Sequence, residues 1–85
     1  MLKIGGDHVQ AGTGRIVNYT VEYGVDGTVG SWSGNVLLLG GSRHQLAGGV
    51  IANVSRQTIG QAVVLALNAE IDGLDLGKLN AADGG

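Results

Sequence analysis

The stretch from Val17 to Val36 constrains this chain more than any other. Val17, Tyr19, Val21, Tyr23 and Val25 alternate with Asn18, Thr20, Glu22 and Gly24. That period of two, in a run rich in β-branched and aromatic residues, describes a strand with one face buried and the other wet. Asp26-Gly27 follows, a pair well suited to a two-residue hairpin turn. Centred there, the hairpin sets Val25 opposite Thr28, Tyr23 opposite Gly30, Val21 opposite Trp32, Tyr19 opposite Gly34 and Val17 opposite Val36. Each tyrosine ring then covers the bare backbone of a glycine. Asn18, Thr20, Glu22, Ser31, Ser33 and Asn35 share the opposite, polar face.

Beyond the hairpin, Val36-Leu37-Leu38-Leu39 breaks the alternation, so both sheet faces are apolar at that end. Gly40-Gly41-Ser42-Arg43 reads as a second turn. With Gly41-Ser42 at its centre, Leu39 faces His44, Leu37 faces Leu46 and Trp32 faces Ile51, and Gly48-Gly49 marks a bulge. Ser55 is a candidate N-cap for a helix from Arg56 to about Asp72, with Gly73 and Leu74 placed for a Schellman-type end. Ile59, Val63, Leu67 and Ile71 form its apolar stripe, flanked by Ala62, Ala66 and Ala69. Val64 and Leu65 widen that arc until only Gln57, Gln61 and Asn68 clearly face water. Gly60 suggests a close helix crossing. Upstream, Leu2 to Ile4 reads as a short strand, and the glycines at 5, 6, 12 and 14 as loop.

These readings give an α+β fold. A three-stranded antiparallel β-meander, about 15–25, 28–39 and 44–54, packs against one α-helix, about 56–72, with a short N-terminal strand beside it. The 85 residues form one small domain: a glycine-rich segment 1–14, the meander 15–54, the helix 55–73 and a tail 74–85. In the tail Leu74, Leu76 and Leu79 dock, and the chain frays from Asn80. The expected core is Val17, Tyr19, Val21, Tyr23, Trp32, Val36, Ile51, Ile59, Val63, Ala66 and Leu67. Leu37, Leu39, Leu46 and Val50 fall on the opposite sheet face. With Val64 and Leu65 they are candidate interface residues of a homo-oligomer.

Several chemistries lack their residues. The chain has no cysteine, hence no disulfide, no thiolate nucleophile and no usual zinc site. Together with an N-terminus unlike a signal peptide, this points to a reducing, cytoplasmic setting. No apolar run approaches the ~18 residues of a membrane span. The basic residues Lys3, Arg15, Arg43, Arg56 and Lys78 are scattered, whereas nucleic-acid backbones are bound by a basic stripe. Tyr19, Tyr23 and Trp32 share a face as stacking platforms do, but the helix needs that face as its floor. His8 and His44 are the only histidines and have no clustered partners, so neither a metal site nor a catalytic triad is expected. Gly12-x-Gly14 precedes a strand rather than following one, and no Gly-Lys-Ser/Thr occurs, so no nucleotide fingerprint is present. Asp72 and Asp75 read as solubilising charges at a helix end. Glu70 falls amid Ile59, Val63 and Ala66 and calls for an arginine, such as Arg15 or Arg56, or an edge donor.

The terminal Gly84-Gly85 resembles the tail of ubiquitin-like and sulfur-carrier proteins over those two residues. Those families run a strand into the tail, where this chain has Asn80-Ala81-Ala82-Asp83. What remains is a non-enzymatic binding module without cofactor, of the inhibitor type that phages and mobile elements encode, acting by occupying a partner's surface. The rival is an oligomeric sponge for a small anionic ligand such as a nucleotide, held by Ser42, Arg43, His44 and Arg56. A minor structural or assembly subunit is the third reading.

Overall fold

A computed structural model of the protein describes residues 2–82, so the reading of Gly84-Gly85 falls outside the described residues. The elements run β1 (Leu2–Val9), β2 (Ile16–Asp26), β3 (Val29–Leu37), β4 (Arg43–Gln45), β5 (Gly49–Ile51), α1 (Ile59–Asp72) and α2 (Leu76–Ala82). All strands are antiparallel in one sheet of order β1-β2-β3-β4, and β5 also pairs with β3. The fold is therefore α+β, a meander with a helix packed on it, as the sequence implies.

Asp26 pairs with Val29, so the hairpin loop is Gly27-Thr28 and lies one position later than expected. Gly27 takes φ +64° at the first loop position, the pattern in which glycine supplies the left-handed conformation of a type II′ turn. The pairing slides by two, which keeps every side chain on its expected face but changes its neighbour. Tyr23 now faces Trp32, Val21 faces Gly34 and Tyr19 faces Val36. Val17, Tyr19, Val21, Tyr23, Trp32 and Val36 are all buried.

The N-terminal strand is eight residues long and does not end at Ile4. Gly5 and Gly6 continue the ladder, opposite Thr20 and Tyr19. The Tyr19 ring lies over Gly6: a Cβ there would come within 2.9 Å of its hydroxyl oxygen. A tyrosine does cover a glycine, then, but the glycine comes from β1 rather than β3.

The expected third strand is two short pieces. Gly48, at φ +74° and packed against the Trp32 carbonyl, makes the bulge that separates β4 from β5. Across it the pairing changes from Val36–His44 to Trp32–Gly49, one residue out of step. Leu46 lies at this break. It turns into the core at 3 % exposure, with its N–H donating to the Gly34 carbonyl at 2.8 Å, and does not join Leu37, Leu39 and Val50 on the outer face. Leu38, beside the second turn, is buried as well.

α1 buries its expected stripe Ile59, Val63, Leu67 and Ile71, at about 1.5–3 kcal/mol for each such side chain. Ala66 and Ile51 are partly buried against this core. The helix starts at Ile59, three residues later than expected. Ser55 instead opens a single preceding turn: its N–H donates to Thr58 Oγ1 at 2.9 Å, and its carbonyl accepts from Ile59 at 2.9 Å. The close approach at Gly60 comes from the Tyr23 hydroxyl and not from another helix. At the C-terminus Gly73 stays right-handed (φ −86°), so there is no Schellman end; Gly73 and Leu74 donate back to Glu70 and Ile71. Asn68, expected to face water, is half-buried, and its Oδ1 is enclosed without a hydrogen-bond partner among the described residues. Residues 76–82 are helical where fraying was expected from Asn80.

Candidate functional site

The outer face of the sheet is polar at its centre. Arg43 lies across it, its Nη1 donating to Asn35 Oδ1 at 2.8 Å and reaching Thr20 Oγ1 at 3.5 Å. Gln45, Ser33, Glu22 and Lys3 border a small polar recess of about 160 Å³ on this face.

Toward the β1–β2 loop the face turns apolar. Ile16 is 72 % exposed, Leu39 75 % and Leu37 43 %. These three, with Val17, Leu76, Asn80 and Arg15, line a cleft of about 320 Å³. The sequence produces it in two steps. The apolar run Leu37-Leu38-Leu39 alternates between faces, so Leu38 is buried while its neighbours stay outside. Asn80 of α2, itself buried, accepts the Leu39 N–H at 2.9 Å and fixes the chain as it leaves β3. Arg15, at the rim, makes no side-chain hydrogen bond or ion pair among the described residues.

The candidate anion-binding residues do not converge within one chain. Arg43 and His44 pair with Leu37 and Val36 at one end of β3, His44 pointing half-buried toward the core face. Arg56 lies at the other end, in a recess of about 250 Å³ with Leu2, Tyr23, Gly24, Val25 and Ile59. The two ends are roughly 20 Å apart at the usual rise of a strand. In the Gly40-Gly41 turn the Gly41 N–H donates to the Leu38 carbonyl at 3.0 Å, and the Ser42 carbonyl accepts from Leu38 at 2.9 Å. The turn amide at Gly41 is thus used within the chain instead of pointing at an anion. Of the candidate interface residues, Leu37 and Leu39 share the cleft, and Val50 is exposed at the opposite end of the sheet, beside Ser31 and near Val29. Val64 is half-buried on α1, Leu65 is 64 % exposed, and Leu46 is core.

Glu70 finds the edge donor rather than an arginine: its Oε1 accepts from the Ala47 amide at the bulge. One cluster was not legible in the sequence. His8 Nε2 lies 2.8 Å from Asp72 Oδ1, which also accepts the Ala11 N–H at 2.9 Å. Beside it Gln10, 2 % exposed, donates to the carbonyls of Ile71 and Leu74, both at 2.8 Å, and accepts from Thr13 Oγ1. The Ala11 amide first, then the His8 ring, hold the Asp72 carboxyl below the ordinary carboxylate value against some desolvation. These contacts fasten the β1–β2 loop to the end of α1. Polar residues such as His8, at the end of β1, and Gln10, just after it, carry no local pattern that tells which distant helix end they reach.

Among the described residues no three His, Asp or Glu side chains gather as metal ligands, and no helix is long and apolar enough to cross a membrane. Compared with known protein families, curated proteins and solved structures, the chain matches none.

Proposed function

We propose that the protein is a non-enzymatic binding module of the inhibitor type, which occupies the surface of a protein partner through the Ile16–Leu37–Leu39 cleft. The observation that carries this reading is the cleft itself. Three large aliphatic side chains stand exposed together around one depression, beside an arginine with no partner among the described residues. Exposed apolar groups clustered at a rimmed depression suit partner recognition, and scattered ones do not. The matching ligand is a protein segment that offers an apolar side chain to the cleft and a carboxylate to Arg15. The sponge reading would need Arg43, His44 and Arg56 to be brought together by assembly, because one chain keeps them at the two ends of β3.

The test is affinity capture from the native host with wild type, Ile16→Asp, Leu39→Asp and, as a control at the other end of the sheet, Val50→Asp. A stoichiometric partner retained by wild type and V50D but lost by I16D and L39D supports the assignment. Capture that is indifferent to I16D and L39D removes it.

A further inference from the structure

The two edges of the sheet differ. β4 and β5 have three residues each and are divided by the bulge at Gly48, so that side offers no continuous ladder. β1 is the opposite edge. It has eight residues, no proline and, among the described residues, a partner strand on one side only. Hydrogen bonds at either end of the sheet set which of its backbone groups are open. The Gln10 N–H donates to the Arg15 carbonyl at 2.8 Å, in step with the β1–β2 register. Counting back by twos, His8–Val17, Gly6–Tyr19 and Ile4–Val21 are the hydrogen-bonded pairs. The Leu46 N–H bond to Gly34, on the far side of β3, obeys the same alternation. Lys3, Gly5, Asp7 and Val9 therefore turn their N–H and C=O groups away from β2.

We propose that this edge pairs antiparallel with the same edge of a second copy of the chain, about a two-fold axis through Gly5. Lys3 of each copy then lies opposite Asp7 of the other, and Gly5 opposite Gly5. All of these pairs bring open backbone groups face to face, for roughly six N–H···O bonds. The Lys3 and Asp7 side chains are exposed on the same sheet face, held there by Glu22 at 3.9 Å and Asn18 at 3.1 Å. Moving the axis to Ile4 or Gly6 preserves the backbone alternation but places Lys3 opposite Gly5 or Val9, and both ion pairs are lost. On the helix-bearing face Ile4 lies opposite Gly6 of the other copy, which the Tyr19 ring covers, and Leu2, 59 % exposed, lies opposite His8. A lone lysine commonly blunts an edge strand; here Asp7 answers it in the copy related by symmetry. That self-complementarity is what selects a second copy over a foreign strand. The pairing does not rest on the cleft assignment, which involves other residues.

Sedimentation analysis of the wild-type chain at micromolar concentration tests it, with a dimer expected. Gly5→Pro is expected to be monomeric with an unchanged circular dichroism spectrum, because that N–H points away from β2 and an edge strand tolerates proline there. Lys3→Asp and Asp7→Lys each place like charges opposite one another twice, and are expected to weaken self-association about tenfold. An equimolar mixture of K3D and D7K restores opposite charges at both pairs and is expected to re-form a dimer with one copy of each. A monomeric wild type overturns the proposal, including one whose edge is filled only by another protein's strand. A dimer indifferent to K3D and D7K also overturns it and places the contact elsewhere.

Discussion

His8 Nε2 and Asp72 Oδ1, sixty-four residues apart in the chain, meet at 2.8 Å and join the end of the first strand to the end of the long helix. The same carboxylate oxygen accepts the Ala11 amide, so Asp72 holds two donors, one from the end of β1 and one from the loop that follows it. Because these donors depress its folded pKa, its contribution to stability is present above the unfolded value of about 3.9 and is lost as pH falls through the folded value. Thermal melts of wild type are therefore expected to fall more steeply with acid below about pH 4 than those of Asp72→Ala. At neutral pH D72A is expected to melt lower than His8→Ala, since it orphans two donors and H8A removes one. Equal melting temperatures for the two variants, and parallel acid profiles for D72A and wild type, would show that the contact carries no stability.

Gln10 is the more deeply placed half of the same junction. Its amide supplies both hydrogens to carbonyls at the end of α1, where helices leave acceptors unpaired. Gln10→Ala leaves the Leu74 carbonyl to whatever water can enter and the Ile71 carbonyl with the Leu74 N–H alone, at a cost of about 1–3 kcal/mol in urea unfolding. Gln10→Glu keeps the size but replaces the donor with a buried acceptor facing two carbonyls, and is expected to cost more than Q10A. The reverse order would mean that packing rather than donation is what Gln10 supplies.

Gly30 has the tightest surroundings of the strand glycines, because a Cβ there would overlap Ile59 Cδ1 at the start of α1. Gly30→Ala is expected to destabilise by about 1–3 kcal/mol, the usual cost of overpacking a core. Ile59→Val deletes the carbon that collides. The double variant G30A/I59V is accordingly expected to be more stable than the sum of the two single losses implies. Strict additivity would mean that the backbone of β3 moves away from the helix instead.

What could be read in the sequence follows from how local each signal is. The alternation in β2 and the Ile59–Val63–Leu67–Ile71 stripe are periodic within single elements, and their buried faces came out as expected. Partners across the hairpin did not, because Asp26-Gly27 and Gly27-Thr28 are both acceptable loops and leave identical faces. Gly5-Gly6 hid most of β1, since what makes Gly6 fit a strand is the ring of Tyr19, thirteen residues beyond it. At the cleft, the exposure of Leu37 and Leu39 was legible from the broken alternation. The contribution of Asn80 was not, because a single asparagine in a polar-looking tail does not announce that it caps a distant amide. Long-range side-chain contacts of this kind have no period and no spacing.

Leu46 and Leu39 make the difference measurable. The meander read from the sequence puts both on the outer face, with Leu46 opposite Leu37; the β4 register instead sets Val36 opposite His44 and Leu46 beside Gly34, which turns Leu46 into the core at 3 % exposure while Leu39 remains 75 % exposed at the cleft. Leu46→Ala is expected to cost about 2–5 kcal/mol, as for a buried leucine that leaves a cavity. Leu39→Ala is expected to change stability by no more than about 0.5 kcal/mol, because it removes surface already in water. Urea unfolding of the two variants decides between the two placements. Similar small losses for both would restore Leu46 to the outer face and undo the β3–β4 register, whereas a large loss for L39A would mean that the cleft is packed in solution and not open to a partner.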